Sequence, residues 1–126
     1  MARHNEEYKE QKELIRWARM RSATLPELKL LTSIPNGGYL LSPSAASKLK
    51  ATGLSAGVPD LMLPVARGGY HGLFIELKRL KGGRVSPEQR WWAERLNSEG
   101  YLAVVCYGWN DARQIIESYL GQVANK

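Results

Sequence analysis

The sequence contains one cysteine, Cys106, so an internal disulfide is excluded and a reducing cytoplasm is the expected setting. It has no apolar run near the roughly 18 residues of a membrane-spanning helix. The opening MARHNEEYKEQ is polar and charged, so it is not expected to act as a secretory signal. Internal repeats and low-complexity stretches are also missing. The 126 residues, 44% hydrophobic and 24% charged, have the balance of a globular chain rather than a disordered one. That length suits one compact domain, expected over residues 1–126. Cys106 stands in the apolar run AVVCY, which predicts a buried, inert thiol rather than a nucleophile.

Acidic residues are in deficit. The formal net charge is +6 and the pI about 9.6. Such an excess favours a polyanionic partner, nucleic acid being the commonest, although simple solubility would explain it too. The cations cluster: Arg16, Arg19 and Arg21 close one segment, and Lys78, Arg79, Lys81 and Arg84 crowd another.

Hydrophobic spacing predicts a helix from Glu6 to about Met20. Pro26 breaks it, and the apolar Leu28 to Ile34 reads as a short strand. Pro35-Asn36-Gly37-Gly38 signals a turn. Ser42 to Thr52 reads as a short helix capped by Ser42 or Ser44 and ended by Gly53. Leu61 to Val65 and Gly72 to Lys78 read as strands flanking an Arg67-Gly68-Gly69 turn, hence an antiparallel pair. Ser86-Pro87-Glu88-Gln89 has the pattern of a capping box opening a helix that Gly100 terminates. Tyr101 to Tyr107 is a further strand, expected to run parallel to the strand before that helix. Asn110 is expected to cap a last helix, with Ala112, Ile115, Ile116, Tyr119 and Leu120 as its apolar stripe. The order predicts an α/β fold, one mixed β-sheet flanked by helices.

Glu76 and Lys78 lie two apart in a predicted strand and so share a face, while Leu73, Ile75 and Leu77 point to the other. Charge near the end of a buried strand is costly unless it is paired or binds a metal. Asp60 heads the preceding strand, and pairing of the two strands would bring it to Glu76. A divalent cation would relieve the repulsion between the two carboxylates. Oxygen ligands of this kind suit Mg²⁺ or Mn²⁺, with the Leu77 carbonyl as a further ligand. Such an ion can bind a phosphate oxygen and activate water, and Lys78 could orient or deprotonate that water, or steady developing charge. The triplet Glu-x-Lys alone carries little information, since it occurs four times, starting at Glu7, Glu10, Glu27 and Glu76. Only the last lies in an apolar strand behind a Pro-Asp pair. An ordinary ion pair at a strand edge, with Asp60 as a mere turn residue, is the alternative reading of the same residues.

Pro59-Asp60 followed by Glu76-Leu77-Lys78 resembles the signature of the PD-(D/E)xK nuclease superfamily. The surrounding text is similar to its VRR-NUC family. The matching stretches are Ile34 to Gly38, Gly57 to Leu61, Gly69 to Lys78, Ser86 to Gln89 and Gly100-Tyr101, so the likeness runs from about Glu7 to Leu120. It looks like a stand-alone, minimal member of the kind that phages and prophages encode, acting inside the host cell. The resemblance implies a restriction-endonuclease-like core and a Mg²⁺- or Mn²⁺-dependent DNA endonuclease for branched DNA, four-way (Holliday) junctions above all, working as a homodimer. It also implies an acidic metal ligand on the first helix, four positions before a glutamine: Glu7 with Gln11, Glu10 being its neighbour. Gln89 matches the family's glutamine, with a catalytic role beside Asp60, Glu76 and Lys78, although helix capping alone would account for it. Asn36 reads as a turn residue before a catalytic or DNA-contacting one, and His71, in a glycine-rich loop at the far end of its strand, as no part of the site. Trp91, Trp92 and Trp109 read as core or interface residues before base-stacking platforms.

Phosphates would be met by Lys48, Lys50, Arg79, Lys81 and Arg84, contacts that position a strand without reading its sequence. A non-catalytic DNA-binding module is the competing reading, and the clustered carboxylates, which repel phosphate, argue against it. A sequence-specific restriction-type enzyme would need recognition elements for which this length leaves little room.

Overall fold

In a computed structural model, described for residues 2–35 and 42–125, the chain forms four helices and four strands. They are α1 (Ala2–Arg21), β1 (Thr32–Ser33), α2 (Pro43–Ala51), β2 (Leu61–Leu63), β3 (Leu73–Lys78), α3 (Pro87–Ser98), β4 (Leu102–Tyr107) and α4 (Trp109–Leu120). The sheet order is β1-β2-β3-β4, with β1, β2 and β3 antiparallel and β3 parallel to β4 across α3. The mixed α/β architecture read from the sequence is therefore the one present. The turn expected at Asn36 to Gly38 falls outside the described residues.

Alternation decides which side of the sheet is apolar. Leu73, Ile75 and Leu77 of β3 join Leu61 and Leu63 of β2 and Cys106 of β4 on one face. That face is covered by Leu14 and Ala18 of α1 and by Ala112, Ile116 and Tyr119 of α4. The Cys106 thiol is buried there, and burial, helped by the Asp111 charge, pushes its pKa up to about 12. The Tyr119 hydroxyl donates to the Val65 carbonyl at 2.6 Å, so this buried hydroxyl is satisfied. α3 lies along β4, where the Asn97 side chain donates to the carbonyl and accepts from the N–H of Ala103.

Two local expectations need correction. Leu28 to Ile34 is not a continuous strand. Pro26 sets the φ of a tight 3₁₀ turn over Pro26–Leu30, which buries Leu28, and only Thr32–Ser33 pairs with β2. Nor does Asn110 cap α4. The helix begins at Trp109 behind Gly108, which has no side chain to cap with. The Trp109 N–H is instead taken by Glu10 of α1 at 2.8 Å, a negative group at a positive helix end. Asn110 accepts from Arg113 within the first turn.

This long-range cap fastens α1 to α4. Replacing Glu10 with alanine is expected to cost about 1–2 kcal/mol and lower the melting temperature by several degrees. Glu10→Gln, which keeps the acceptor, should lose less. An unchanged melt for Glu10→Ala would show that the cap contributes nothing.

Candidate active site

Register, more than sequence proximity, assembles the site. Leu61 faces Ile75 across the β2–β3 pair, so Asp60, one step earlier, falls opposite Glu76. Asp60 is pinned at both ends: its carbonyl accepts from Ile34 at 2.8 Å, and its Oδ2 accepts from the Leu77 N–H at 2.8 Å. Glu76 and Lys78 share the face of β3 opposite the apolar core, and each is only 6% exposed. The Lys78 Nζ lies 3.6 Å from Glu76 Oε2, and the Gln89 Nε2 donates to the same oxygen at 3.0 Å.

Gln89 reaches Glu76 because of how α3 starts. Ser86 accepts from the Gln89 N–H at 3.1 Å, and Gln89 Oε1 accepts from the Ser86 N–H at 2.9 Å, completing the capping box. The amide oxygen holds the helix start and the amide nitrogen holds the acid. Gly57 lets the segment before Asp60 run against this helix start. Its φ is +91°, and a Cβ there would lie 2.4 Å from the Glu88 carbonyl carbon. On the other side Gly83 packs on Lys78, where a Cβ would sit 2.8 Å from the lysine's own Cβ.

These contacts leave Glu76 electrostatically uneven. Its Oε2 accepts from Gln89 and pairs with the Lys78 ammonium, while its Oε1 is buried with no hydrogen-bond partner among the described residues. Burial raises the Glu76 pKa, the Asp60 charge raises it further, and despite Lys78 it reaches about 9. Asp60 is also raised, first by burial, against the lowering effect of the Leu77 N–H. Two such carboxylates either share a proton or bind a cation. A divalent ion fits this pair: hard oxygen donors, one of them unsatisfied, facing an open cleft of about 370 Å³. Among the described residues no three acids, cysteines or histidines form a ready cage, so carbonyl and water oxygens would complete the coordination.

Most of the expected site residues line that cleft: Glu7, Asp60, Glu76, Leu77, Lys78, Arg79, Arg84 and Gln89. Glu7 is close enough for its charge to raise Asp60, but it is not gathered with Asp60 and Glu76 into a cluster. Its neighbour Glu10 caps α4 and faces away. Arg79 lines the cleft, yet it bonds Glu6 at 3.3 Å and the Gly82 carbonyl at 3.0 Å, holding the loop in place. Lys48 and Lys50 are on α2, and Lys81 is in the loop after β3; none of the three lines the cleft. His71 is exposed before the start of β3, edge-on to Tyr101, at the opposite end from Lys78. Trp91 is 57% exposed and meets Trp92 edge-on, whereas Trp109 packs on the core. Sequence reasoning gave no site role to Gln11, Gly57 or Gly83, which also line the cleft. The four-residue spacing from Glu7 to Gln11, one helical turn, is the signal for the first.

Comparison with known proteins fits this geometry. The profile of the VRR-NUC domain matches residues 4–110. A solved structure described as a VRR_NUC domain protein superposes with a TM-score of 0.76 at 32% identity, covering 90% of this chain and 87% of that one. No curated protein matches the chain. With the domain profile spanning most of the sequence and the fold shared with a solved member, this chain belongs to the VRR-NUC family, a nuclease branch of the PD-(D/E)xK superfamily.

Proposed function

We propose that the protein is a Mg²⁺- or Mn²⁺-dependent endonuclease that hydrolyses phosphodiester bonds in branched DNA, four-way junctions in particular, as a two-fold dimer. The observation that carries this reading is the unsatisfied, buried Glu76 Oε1 beside Asp60. Asp60, Glu76 and the Leu77 carbonyl would hold the ion, with Glu7 adding negative charge to the cleft. Bound there, the ion supplies Lewis-acid stabilisation of the phosphate and a more acidic water.

The chain's own side chains account for the remaining chemistry. Lys78 is held against Glu76 with its ammonium at the cleft, where it orients the attacking water and offsets charge growing on the phosphate oxygens. Gln89 fixes Glu76 Oε2, so that Oε1 is the oxygen left for the ion. Arg84, exposed at the cleft, positions phosphates there, with Lys81, Lys48 and Lys50, outside the cleft lining, as further phosphate contacts. A junction offers two strands to cut, and a two-fold dimer offers two sites in matching symmetry.

The test is a panel of four-way, flap and linear DNA with Mg²⁺ or Mn²⁺. The expected result is cutting of the four-way substrate before the linear one, and its loss on chelation. Binding without cutting in either metal would replace the proposed enzyme by a DNA-binding module. Cutting that survives chelation would overturn the metal site.

A further inference from the structure

A second groove, of about 500 Å³, runs between α1 and the Pro26–Leu30 turn with β1 beyond it. Gln11 lines both this groove and the cleft that holds Asp60 and Glu76, so the two concavities adjoin along α1. Arg19 and Lys29 stand at the groove, and no acidic residue lines it among the described residues. Both cations are exposed, and neither has an ion pair among the described residues. Other arginines are held differently: Arg16 by Glu13, Arg67 by Glu27, Arg79 by Glu6 and Arg113 by Glu117. The hydroxyls of Thr32 and Ser33, at the exposed edge strand, add neutral donors to the same groove.

We infer that this groove carries the sugar-phosphate backbone of a DNA strand away from the cleavage site, with Arg19 and Lys29 on its phosphates. The inference rests on the nuclease reading above and adds a direction to it. Glu7 and Arg19 are twelve residues apart on one helix, about 18 Å. That distance matches the rise of roughly five base pairs of duplex. The strand entering the cleft therefore continues along α1 towards the Arg19 end. Contacts of this type hold a strand in register and read no bases, which suits selection by shape.

The experiment measures DNA binding by the whole protein with chelator present, so that cutting does not enter. The probe is a four-way junction, titrated over a range of salt concentrations. Arg19→Ala with Lys29→Ala is compared with Lys9→Ala plus Arg95→Ala, which removes the same charge from exposed positions outside the groove. The groove variant should bind about tenfold more weakly, and its slope of log affinity on log salt should be shallower by about 1.8, two phosphates at roughly 0.9 each. The control pair should change affinity less than about twofold, since it removes charge but no phosphate contact. With Mg²⁺ restored and DNA saturating, the groove variant should keep the parent's kcat and show a raised KM. An unchanged affinity and salt slope, or an equal loss in the control pair, overturns the inference. A parent that binds with the expected slope but never cuts would sink the nuclease reading and leave the groove standing. A parent that binds no DNA removes both.

Discussion

Replacing Asp60 with asparagine is expected to raise the melting temperature of the metal-free protein at pH 8 and to remove the cutting proposed for it. Asparagine keeps an oxygen for the Leu77 N–H and deletes the charge that opposes Glu76. The sign follows from the Glu76 pKa, raised from the ordinary 4.5 to about 9. The folded state then holds a proton that the unfolded chain has released. Stability from this group is fully present below about pH 4.5 and drains away as pH climbs towards 9. Without the Asp60 charge the drain is smaller, although burial alone still keeps Glu76 raised. The metal-free variant should melt about 5 °C or more above the parent at pH 8, with little difference near pH 4.5. Mg²⁺ or Mn²⁺ should raise the melting temperature of the parent, most at alkaline pH where no proton competes, and leave the variant unmoved. Cleavage should fall about 10³-fold or more, on the scale of the charge stabilisation a metal provides. Parallel melting curves for the two proteins from pH 5 to pH 9 would show that the carboxylates do not oppose each other. Cutting at the parental rate would show that Asp60 holds no ion.

Gly57→Ala is the second change with a large expected effect, and it acts through backbone. The residue has φ +91°, where a Cβ costs roughly 1–2 kcal/mol by itself. Here the added carbon would also lie 2.4–2.7 Å from backbone and Cβ atoms of Glu88, so the start of α3 must move or the Asp60 segment must. A total loss of about 3 kcal/mol or more is expected, a drop in melting temperature of about 10 °C. Gln89 follows Glu88, so activity should fall further than stability at a temperature where the variant is still folded. Ala at Gly53, also at positive φ but with nothing within 4 Å among the described residues, is the control: it carries the backbone strain without the collision. If the two alanine variants melt alike, the close approach to Glu88 has no energetic weight.

The parts of this site that could be read from the sequence are those set by short-range rules. Alternation along LFIELK placed Glu76 and Lys78 on one face and Leu73, Ile75 and Leu77 on the other, as found. The Ser86–Gln89 capping box has its signature within four residues and is formed. The antiparallel approach of Asp60 to Glu76 followed from a turn between two strands. What escaped the sequence depends on partners far along the chain. Asn110 was the reasonable cap for α4 by local preference, but α1 brings in the Glu10 carboxylate from 99 residues away. The apolar Leu28 to Ile34 stretch looked like a strand because its short run has no helical period. Pro26 and the burial of Leu28 settle it as a tight turn instead. Arg79 belonged to a basic cluster in the sequence, and only the fold reveals Glu6 and the Gly82 carbonyl as its partners.

The double use of one amide at the start of α3 narrows what chemistry that position tolerates. Glutamate there could still close the capping box but would turn a donor into a second repelling oxygen against Glu76. Asparagine carries both kinds of atom on a stem one carbon too short to span them, and lysine or arginine would donate without accepting from Ser86. Glutamine answers both neighbours at once without taking up a proton, so an otherwise ordinary helix signal is tied to the charge centre through a single amide.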